Sequence, residues 1–213
     1  MKQIKTVMLC SLMLLLAPWN AEAQEISEGN LKKATQWVAS LNLNDVAKQQ
    51  RVTNVIATHL QAIADWHNAH LNLIPDGSIN PLTGKKLSAV DRQIIADSGQ
   101  PASIRQALLD GLNADLSPEQ VEQILDLYTI GKVAFTMKAY REIVPDMSAE
   151  DEAVLMNNLK EARLMAIDYK NMKAISGIFE IFKTKNEQYF TQTGRDWRTI
   201  YKAYVEKLKA NKK

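Results

Sequence analysis

The spacing of the apolar residues constrains the fold most, because they recur every three or four positions along almost the whole chain. Val52, Ile56 and Ile63 form one such stripe, and Ile175 with Phe179 begins another. A repeat of about 3.6 residues is typical of amphipathic helices. No segment of any length alternates between apolar and polar residues, so the sequence predicts no β-sheet.

Start and stop signals divide this pattern into separate helices. Side chains of the N-cap type precede most of them: Ser27, Asn44 or Asp45, Ser88, Ser117, Ser148 and Asp196. Proline and glycine mark residues 75–87 as a loop. Val121 to Val144 is apolar on most sides and is predicted as one central, buried helix with a kink at Gly131. The predicted fold is a single compact all-α domain of about seven or eight helices over residues 24–213.

The N-terminal segment has the pattern of an export signal. Two lysines precede an apolar run over residues 6–17, and small residues follow at Ala21 and Ala23. This pattern predicts a signal peptide over residues 1–23, cleaved before Gln24; an uncleaved anchor is the alternative. The run is shorter than the roughly 20 residues that span a bilayer, and no later stretch is apolar enough for stable membrane insertion. We therefore expect a soluble protein in the periplasm or the medium.

Composition removes several classes of function. Cleavage would remove Cys10, the only cysteine, so disulfides and thiol chemistry are excluded from the mature chain. A chain that is 46% hydrophobic and 23% charged is an ordinary globular domain rather than a disordered one. The net charge of +2 gives no reason to expect a nucleic-acid partner, and export argues against one.

The near-neutral total hides an uneven distribution of charge. Residues 170–213 contain 11 basic and 4 acidic side chains, whereas residues 24–169 contain 13 basic and 19 acidic ones. In the basic segment Trp197 and Tyr201 are interleaved with Arg195 and Arg198. Aromatic faces stack on sugar rings and cations bind carboxylates or sulfates, which favours an acidic glycan as ligand. The alternative is that the aromatics belong to the core and the lysines to a solvated face.

All three histidines, His59, His67 and His70, fall on one predicted helix. Two imidazoles three residues apart can hold a metal ion, but a zinc site needs a third ligand, and the sequence contains no HExxH motif and no cysteine pair. No metal and no cofactor is therefore predicted. Trp66, His67 and His70 are candidates for contact with a ligand, and packing with hydrogen bonding inside the bundle is the alternative.

Asp91 and Arg92 follow a polar loop at the start of a predicted helix. The loop lacks the GxxxxGK[ST] spacing that wraps phosphate, so a nucleotide site is not expected. A carboxylate beside a guanidinium can orient ligand hydroxyls, which makes both residues candidates for ligand binding. A surface connection that ends in a helix cap is the competing interpretation.

Two further groups of polar residues adjoin apolar stretches. Lys132 lies in a nearly apolar segment, where burial would lower its pKa, although snorkelling or pairing with a carboxylate is the more common outcome. Asp168, Tyr169 and Lys173 cluster where two helical patterns meet. All four residues are candidates for lining a cleft.

Six short segments together carry a family resemblance: Asp65–His70, Asp91–Ala96, Tyr128–Met137, Asp168–Lys173, Lys183–Lys185 and Gly194–Arg198. With them the chain resembles the domain of unknown function 3826 family, from about residue 30 to 205. The resemblance implies an exported protein of Bacteroidetes, encoded near glycan-utilisation genes and described as sugar-binding. It supplies no catalytic residues.

These observations lead to one expectation and two alternatives. We expect a carbohydrate-binding accessory protein of polysaccharide utilisation, with a pocket drawn from eleven residues: Trp66, His67, His70, Asp91, Arg92, Lys132, Asp168, Tyr169, Lys173, Arg195 and Trp197. A glycan hydrolase or lyase is the first alternative. Its base would be His67 or His70, its acid would be Asp91 or Asp168, and Lys132 or Arg195 would stabilise charge. A helical module that contacts a secreted protein partner through the basic C-terminal face is the second.

Overall fold

The computed structural model describes residues 25–211 and folds them into nine α-helices. They are α1 (Glu28–Ala39), α2 (Val46–Ala69), α3 (Ala89–Asp97), α4 (Ala102–Asp115), α5 (Pro118–Tyr128), α6 (Lys132–Ile143), α7 (Ala149–Ala166), α8 (Met172–Gln192) and α9 (Trp197–Ala210). No β-strand occurs in this described range, where Ile79 and Lys86 form an isolated antiparallel bridge. The all-α prediction is therefore confirmed, whereas the predicted signal peptide and Cys10 lie outside the described residues.

Local capping explains where most helices begin. The predicted caps Ser27, Asp45, Ser88, Ser117, Ser148 and Asp196 each accept a hydrogen bond from a backbone N–H in the first turn of the helix that follows. Those of α3, α5 and α7 are full capping boxes, in which the third helical residue bonds back to the cap. The predicted loop over residues 75–87 is confirmed and lies between α2 and α3.

The prediction of one kinked helix from Val121 to Val144 is wrong. The chain forms α5 and α6 instead, and this division raises the count of helices from the predicted seven or eight to nine. Ile130 and Gly131 adopt positive φ angles of 49° and 70°, which no α-helix can contain. The segment is also not buried throughout, because Phe135 on α6 is 75% exposed.

Two apolar clusters form the interior. The first core is built mainly by α1, α2, α4 and α5, with Ile56, Leu112 and Ile124 fully buried. The second core is built mainly by α6, α7 and α8, with Leu159 and Phe190 fully buried. Burying one such side chain stabilises the fold by about 1.5–3 kcal/mol, so the two cores supply most of the stabilisation.

Helix α8 connects several parts of the fold. At 21 residues it is about 30 Å long, and it contacts α3, α7 and α9. Helix α3 approaches it closely at Gly177, where an added Cβ would lie 2.9 Å from the Ile94 Cδ1 atom. Between residues 25 and 211, the helices include none long and apolar enough to cross a bilayer.

Candidate functional site

The eleven candidate residues do not converge on one pocket. Lys173 lies in the first turn of α8, whereas Trp197 contacts Glu187 near the other end of that helix. Residues 173 and 187 are separated by about 21 Å along the helix axis. A concave region therefore lies at each end of α8.

The first region is named the polar pocket here. It has a volume of about 250 Å³ and is lined by residues of α2, α3 and the start of α8: His67, Ala89, Val90, Gln93, Asn171, Lys173 and Ala174. Of the sequence-predicted candidates, only His67 and Lys173 line it.

His67 is held in the polar pocket by a buried carboxylate. Its Nδ1 atom lies 2.9 Å from the Asp97 Oδ2 atom, and the Gln93 amide donates to Asp97 Oδ1 at 2.7 Å. Asp97 is only 2% exposed, and an ionised carboxylate accepts but does not donate hydrogen bonds. With Nδ1 bonded to Asp97, Nε2 is the ring nitrogen of His67 that is left to a ligand. Sequence reasoning missed Asp97, since it lies 30 residues from His67.

Trp66 and His70 are used by the fold itself. Their rings stack with centroids 4.0 Å apart, and His70 Nδ1 donates to the Trp66 carbonyl at 2.7 Å. The Trp66 indole N–H donates to the Ala96 carbonyl at 3.2 Å, which ties α2 to α3. These contacts match the packing alternative for both residues.

Asp91 and Arg92 also make structural contacts. The Asp91 carboxylate accepts from the Ser88 backbone N–H at 3.2 Å and from its hydroxyl at 2.7 Å, which completes the α3 cap. Arg92 donates to the Asp76 carboxylate at 2.8 Å and to the Leu87 carbonyl at 3.4 Å. Arg92 therefore anchors the preceding loop to α3.

Asp168 and Tyr169 lie in the corner between α7 and α8. Asp168 forms an ion pair with Arg105 of α4, yet burial raises the pKa of its carboxyl to about 6. Its Oδ1 atom is buried and has no hydrogen-bond partner among residues 25–211. Burial, with the nearby charges of Asp168 and Asp97, raises the pKa of Tyr169 to about 12, so this hydroxyl stays protonated at neutral pH.

Lys132 lines neither concave region. Its Nζ atom lies 5.8 Å from the centroid of the Phe179 ring, within the range of a cation–π contact. The side chain therefore joins the start of α6 to α8.

Arg195 fastens the turn before α9 to the start of α7. Its guanidinium donates to Asp151 at 2.7 Å and to Asp146 at 3.0 Å, and it lies over the Phe190 ring at 5.1 Å. Because both ends of the guanidinium are occupied by carboxylates, Arg195 serves the fold in this structure.

The second concave region is named the aromatic groove here. It has a volume of about 380 Å³ and lies between α6, α8 and α9, lined by Thr136, Ala139, Tyr140, Ile143, Lys183, Glu187, Trp197, Tyr201 and Tyr204. It brings the predicted Trp197 together with residues that sequence reasoning did not place there, above all Tyr140, Lys183 and Glu187. Lys183 and Glu187 are four residues apart on one helix, a spacing that puts both on the same face.

The rings of the aromatic groove form a continuous stack. Trp197 lies on Phe190 with centroids 5.7 Å apart and planes 15° apart, and Tyr201 follows at 6.0 Å and 25°. The Trp197 indole lies beside the Glu187 carboxylate, whose pKa is raised mainly by burial. The Tyr140 hydroxyl donates to the Lys183 carbonyl at 3.2 Å. The ring orientations are thus fixed by packing and hydrogen bonds.

A third hollow of about 480 Å³ lies between α2 and α4 and is mostly apolar. His59 forms part of it, with Nδ1 3.1 Å from the Tyr128 hydroxyl and Nε2 buried without a partner in the described part of the chain. Burial, with the charge of Arg105, lowers the pKa of His59 to about 4. This histidine is therefore neutral at physiological pH. No group of three or more metal-ligating side chains occurs within residues 25–211.

Comparison with known proteins identifies the family. The model of a family described as "Protein of unknown function (DUF3826)" matches residues 28–210. The match covers most of the chain, so the chain belongs to this family. A comparison with curated proteins found no match.

Proposed function

We propose that this member of the DUF3826 family is an exported carbohydrate-binding accessory protein of polysaccharide utilisation, and that its glycan binds in the aromatic groove. One observation carries the proposal: four aromatic side chains line the same groove, namely Tyr140, Trp197, Tyr201 and Tyr204. Flat aromatic faces bind the apolar faces of sugar rings, and Tyr and Trp add a polar edge.

The polar residues of the groove suit sugar hydroxyls. Lys183 supplies donors and Glu187 supplies acceptors, beside the ring stack of Trp197 and Tyr201. A small-molecule site usually combines a few polar groups with apolar rings. Tyr201 is 48% exposed, which leaves much of its side chain accessible to a ligand.

Charge and extent favour an acidic glycan. A further hollow of about 690 Å³ shares Glu187 and Trp197 with the groove and adds Arg198. A chain of several sugars can run from one hollow into the other, and Arg198 can bind a uronate carboxylate or a sulfate. A secreted protein partner that binds the basic face of α9 also remains a prediction.

Export is part of the proposal. The lysines and the apolar run before Gln24 support cleavage of a signal peptide and release into a periplasm, as in Bacteroidetes. Mass spectrometry of the protein recovered from producing cells should find a chain that begins at Gln24. Retention of Met1 on the recovered protein would contradict export by cleavage.

The decisive experiment removes one ring from the groove. Calorimetry with neutral and uronate-containing oligosaccharides should show binding by the parent protein and about tenfold weaker binding by Tyr201→Ala, equivalent to about 1.4 kcal/mol. The side chain of Tyr201 is half exposed, so its loss should leave the fold intact.

Phe135→Ala is the matched control. Phe135 is an exposed ring on α6 that does not line the groove, so its removal should not change the affinity. The proposal fails if no saccharide binds to the parent, or if both variants bind saccharide as well as the parent does.

The enzymatic alternative now depends on fewer residues. Asp91 is committed to a helix cap, Asp168 to an ion pair with Arg105, and His70 to its contacts with Trp66. His67 is the one of these candidates whose remaining ring nitrogen borders a pocket. A glycan-processing activity therefore remains a prediction that rests on His67.

A further inference from the structure

The polar pocket has properties that the aromatic groove lacks. It lies at the opposite end of α8 and is lined by His67, Gln93, Asn171 and Lys173, with small apolar residues between them. Its volume of about 250 Å³ is below the roughly 300–1,000 Å³ of pockets that enclose drug-sized ligands. Its size therefore fits a single small molecule rather than a chain of sugars.

His67 presents a prepared hydrogen-bonding atom to this pocket. The residue is 9% exposed, and Asp97 holds Nδ1 on one side of the ring. Nε2 has no hydrogen-bond partner within residues 25–211. His67 lines the pocket, so a ligand hydroxyl can donate a hydrogen bond to its free Nε2 atom.

The same pocket carries positive charge. Lys173 is exposed and has no ion-pair partner in the described part of the chain. The Asn171 side chain caps the Ala174 N–H at 2.9 Å, and the first turn of α8 holds no acidic residue. The remaining N–H groups of that turn and the helix dipole attract an anion to the place where the Lys173 ammonium is available.

We propose that the polar pocket is a second ligand site, separate from the aromatic groove, that takes a small hydroxy acid of the sugar-acid class. The ligand carboxylate binds Lys173 and the first turn of α8, and a ligand hydroxyl donates to His67 Nε2. Asp97 is a positioning residue, because it acts on the ligand only through the orientation of the His67 ring, and the Gln93 amide holds Asp97 in place. This site does not depend on glycan binding in the groove.

The test observes the histidine side chains directly. In ¹⁵N-labelled protein the three imidazoles, His59, His67 and His70, give separate side-chain resonances, and His67→Gln identifies one of them. Addition of D-galacturonate or D-glucuronate should shift the His67 resonance in a saturable manner and leave that of buried His59 unchanged. D-Galactose and D-glucose, which lack the carboxylate, should bind at least about tenfold more weakly.

Lys173→Met is the variant that separates binding from folding. Lys173 is exposed, so its replacement should keep the fold and weaken the sugar-acid titration at least about tenfold. Lys138→Met is the control, because Lys138 is an exposed lysine on α6 that does not line the pocket. Tyr201→Ala, which weakens the groove, should leave the His67 titration unchanged.

Several outcomes would overturn the proposal. It fails if neither sugar acid shifts the His67 resonance, or if Lys173→Met and Lys138→Met titrate alike. If acetate, which has a carboxylate but no hydroxyl, binds as tightly as galacturonate, then His67 does not accept a hydrogen bond from a ligand hydroxyl. If the His67 shift is lost in Tyr201→Ala, the sugar acid binds in the groove and not in the polar pocket. If the protein binds sugar acids but no oligosaccharide, only the proposed function fails.

Discussion

The two ends of α8 differ in the side chains that surround them: polar groups at its start and aromatic rings near its other end. At its start, the side chains of Asp97, Gln93 and Arg105 are bound to one another or to neighbouring polar groups, and little beyond His67 Nε2 and Lys173 is left for a ligand. Near its other end, four aromatic side chains line the groove, and Tyr201 among them is 48% exposed. A polar network offers few contacts, each with a specific geometry, whereas an aromatic surface offers a larger contact area that is less sensitive to the orientation of the ligand.

The two ends are also stabilised differently. The aromatic end depends on buried apolar surface, since Phe190 is fully buried beneath Trp197. The polar end depends on the pairing of buried hydrogen-bonding groups, where the removal of one partner leaves the other unsatisfied. Substitutions at each end can therefore separate packing from hydrogen bonding.

The largest effect should come from the aromatic end. Phe190→Ala removes a fully buried ring from the second core and should lower the free energy of unfolding by about 3–5 kcal/mol. Urea denaturation followed by circular dichroism measures the change. Phe135→Ala is the control and should stay within about 0.5 kcal/mol of the parent. Equal effects of the two variants would contradict the assignment of Phe190 to the core.

A smaller effect should come from the polar end. Asp97→Ala leaves the His67 ring and the Gln93 amide without their acceptor and should lower the free energy of unfolding by about 2–3 kcal/mol. The same denaturation experiment applies. Asp110→Ala, which removes an exposed carboxylate on α4, should cost less than about 0.5 kcal/mol. If Asp97→Ala is as stable as Asp110→Ala, the buried pair does not hold this end together.

The effects of pH at two buried groups have opposite signs. Burial raises the pKa of Asp168 from 3.8 to about 6, so the stability it contributes is fully present below pH 4 and is lost as the pH rises to 6. Burial lowers the pKa of His59 from 6.5 to about 4, so its contribution is present above pH 6.5 and is lost as the pH falls toward 4. Between pH 4 and 6 the two contributions oppose each other.

Variants separate these two contributions. Relative to the parent, Asp168→Asn should gain stability as the pH rises from 4 to 6, and His59→Gln should lose stability over the same range. Thermal melts at half-unit pH steps measure both differences. Difference curves that are flat for both variants would show that neither group titrates abnormally in the folded state.

Local patterns in the sequence predicted most of the helices. Ser88 and Asp91 form the expected capping box, and Ser148 with Asp151 forms another, because a cap bonds to residues within its own first turn. The break at Ile130 and Gly131 was misread as a kink, although glycine is typical of left-handed residues. A glycine can either bend or end a helix, and the apolar pattern of the sequence is the same in both cases.

The candidate sites were less predictable, since their partners lie far apart in the sequence. Trp66, His70, Asp91 and Arg195 have the chemistry of ligand contacts, but neighbouring groups occupy their polar atoms. No local signal distinguishes a side chain that faces a partner from one that faces solvent.

The sequence by itself determined that this chain is helical and where most helices begin, because helical period and capping depend on residues within four positions of one another. Only the tertiary structure decided that His67 pairs with Asp97 and that Trp197 meets Tyr140 and Glu187. These pairings depend on how helices pack across two cores. It is this packing that distributes the predicted pocket residues between two concave regions at the ends of α8.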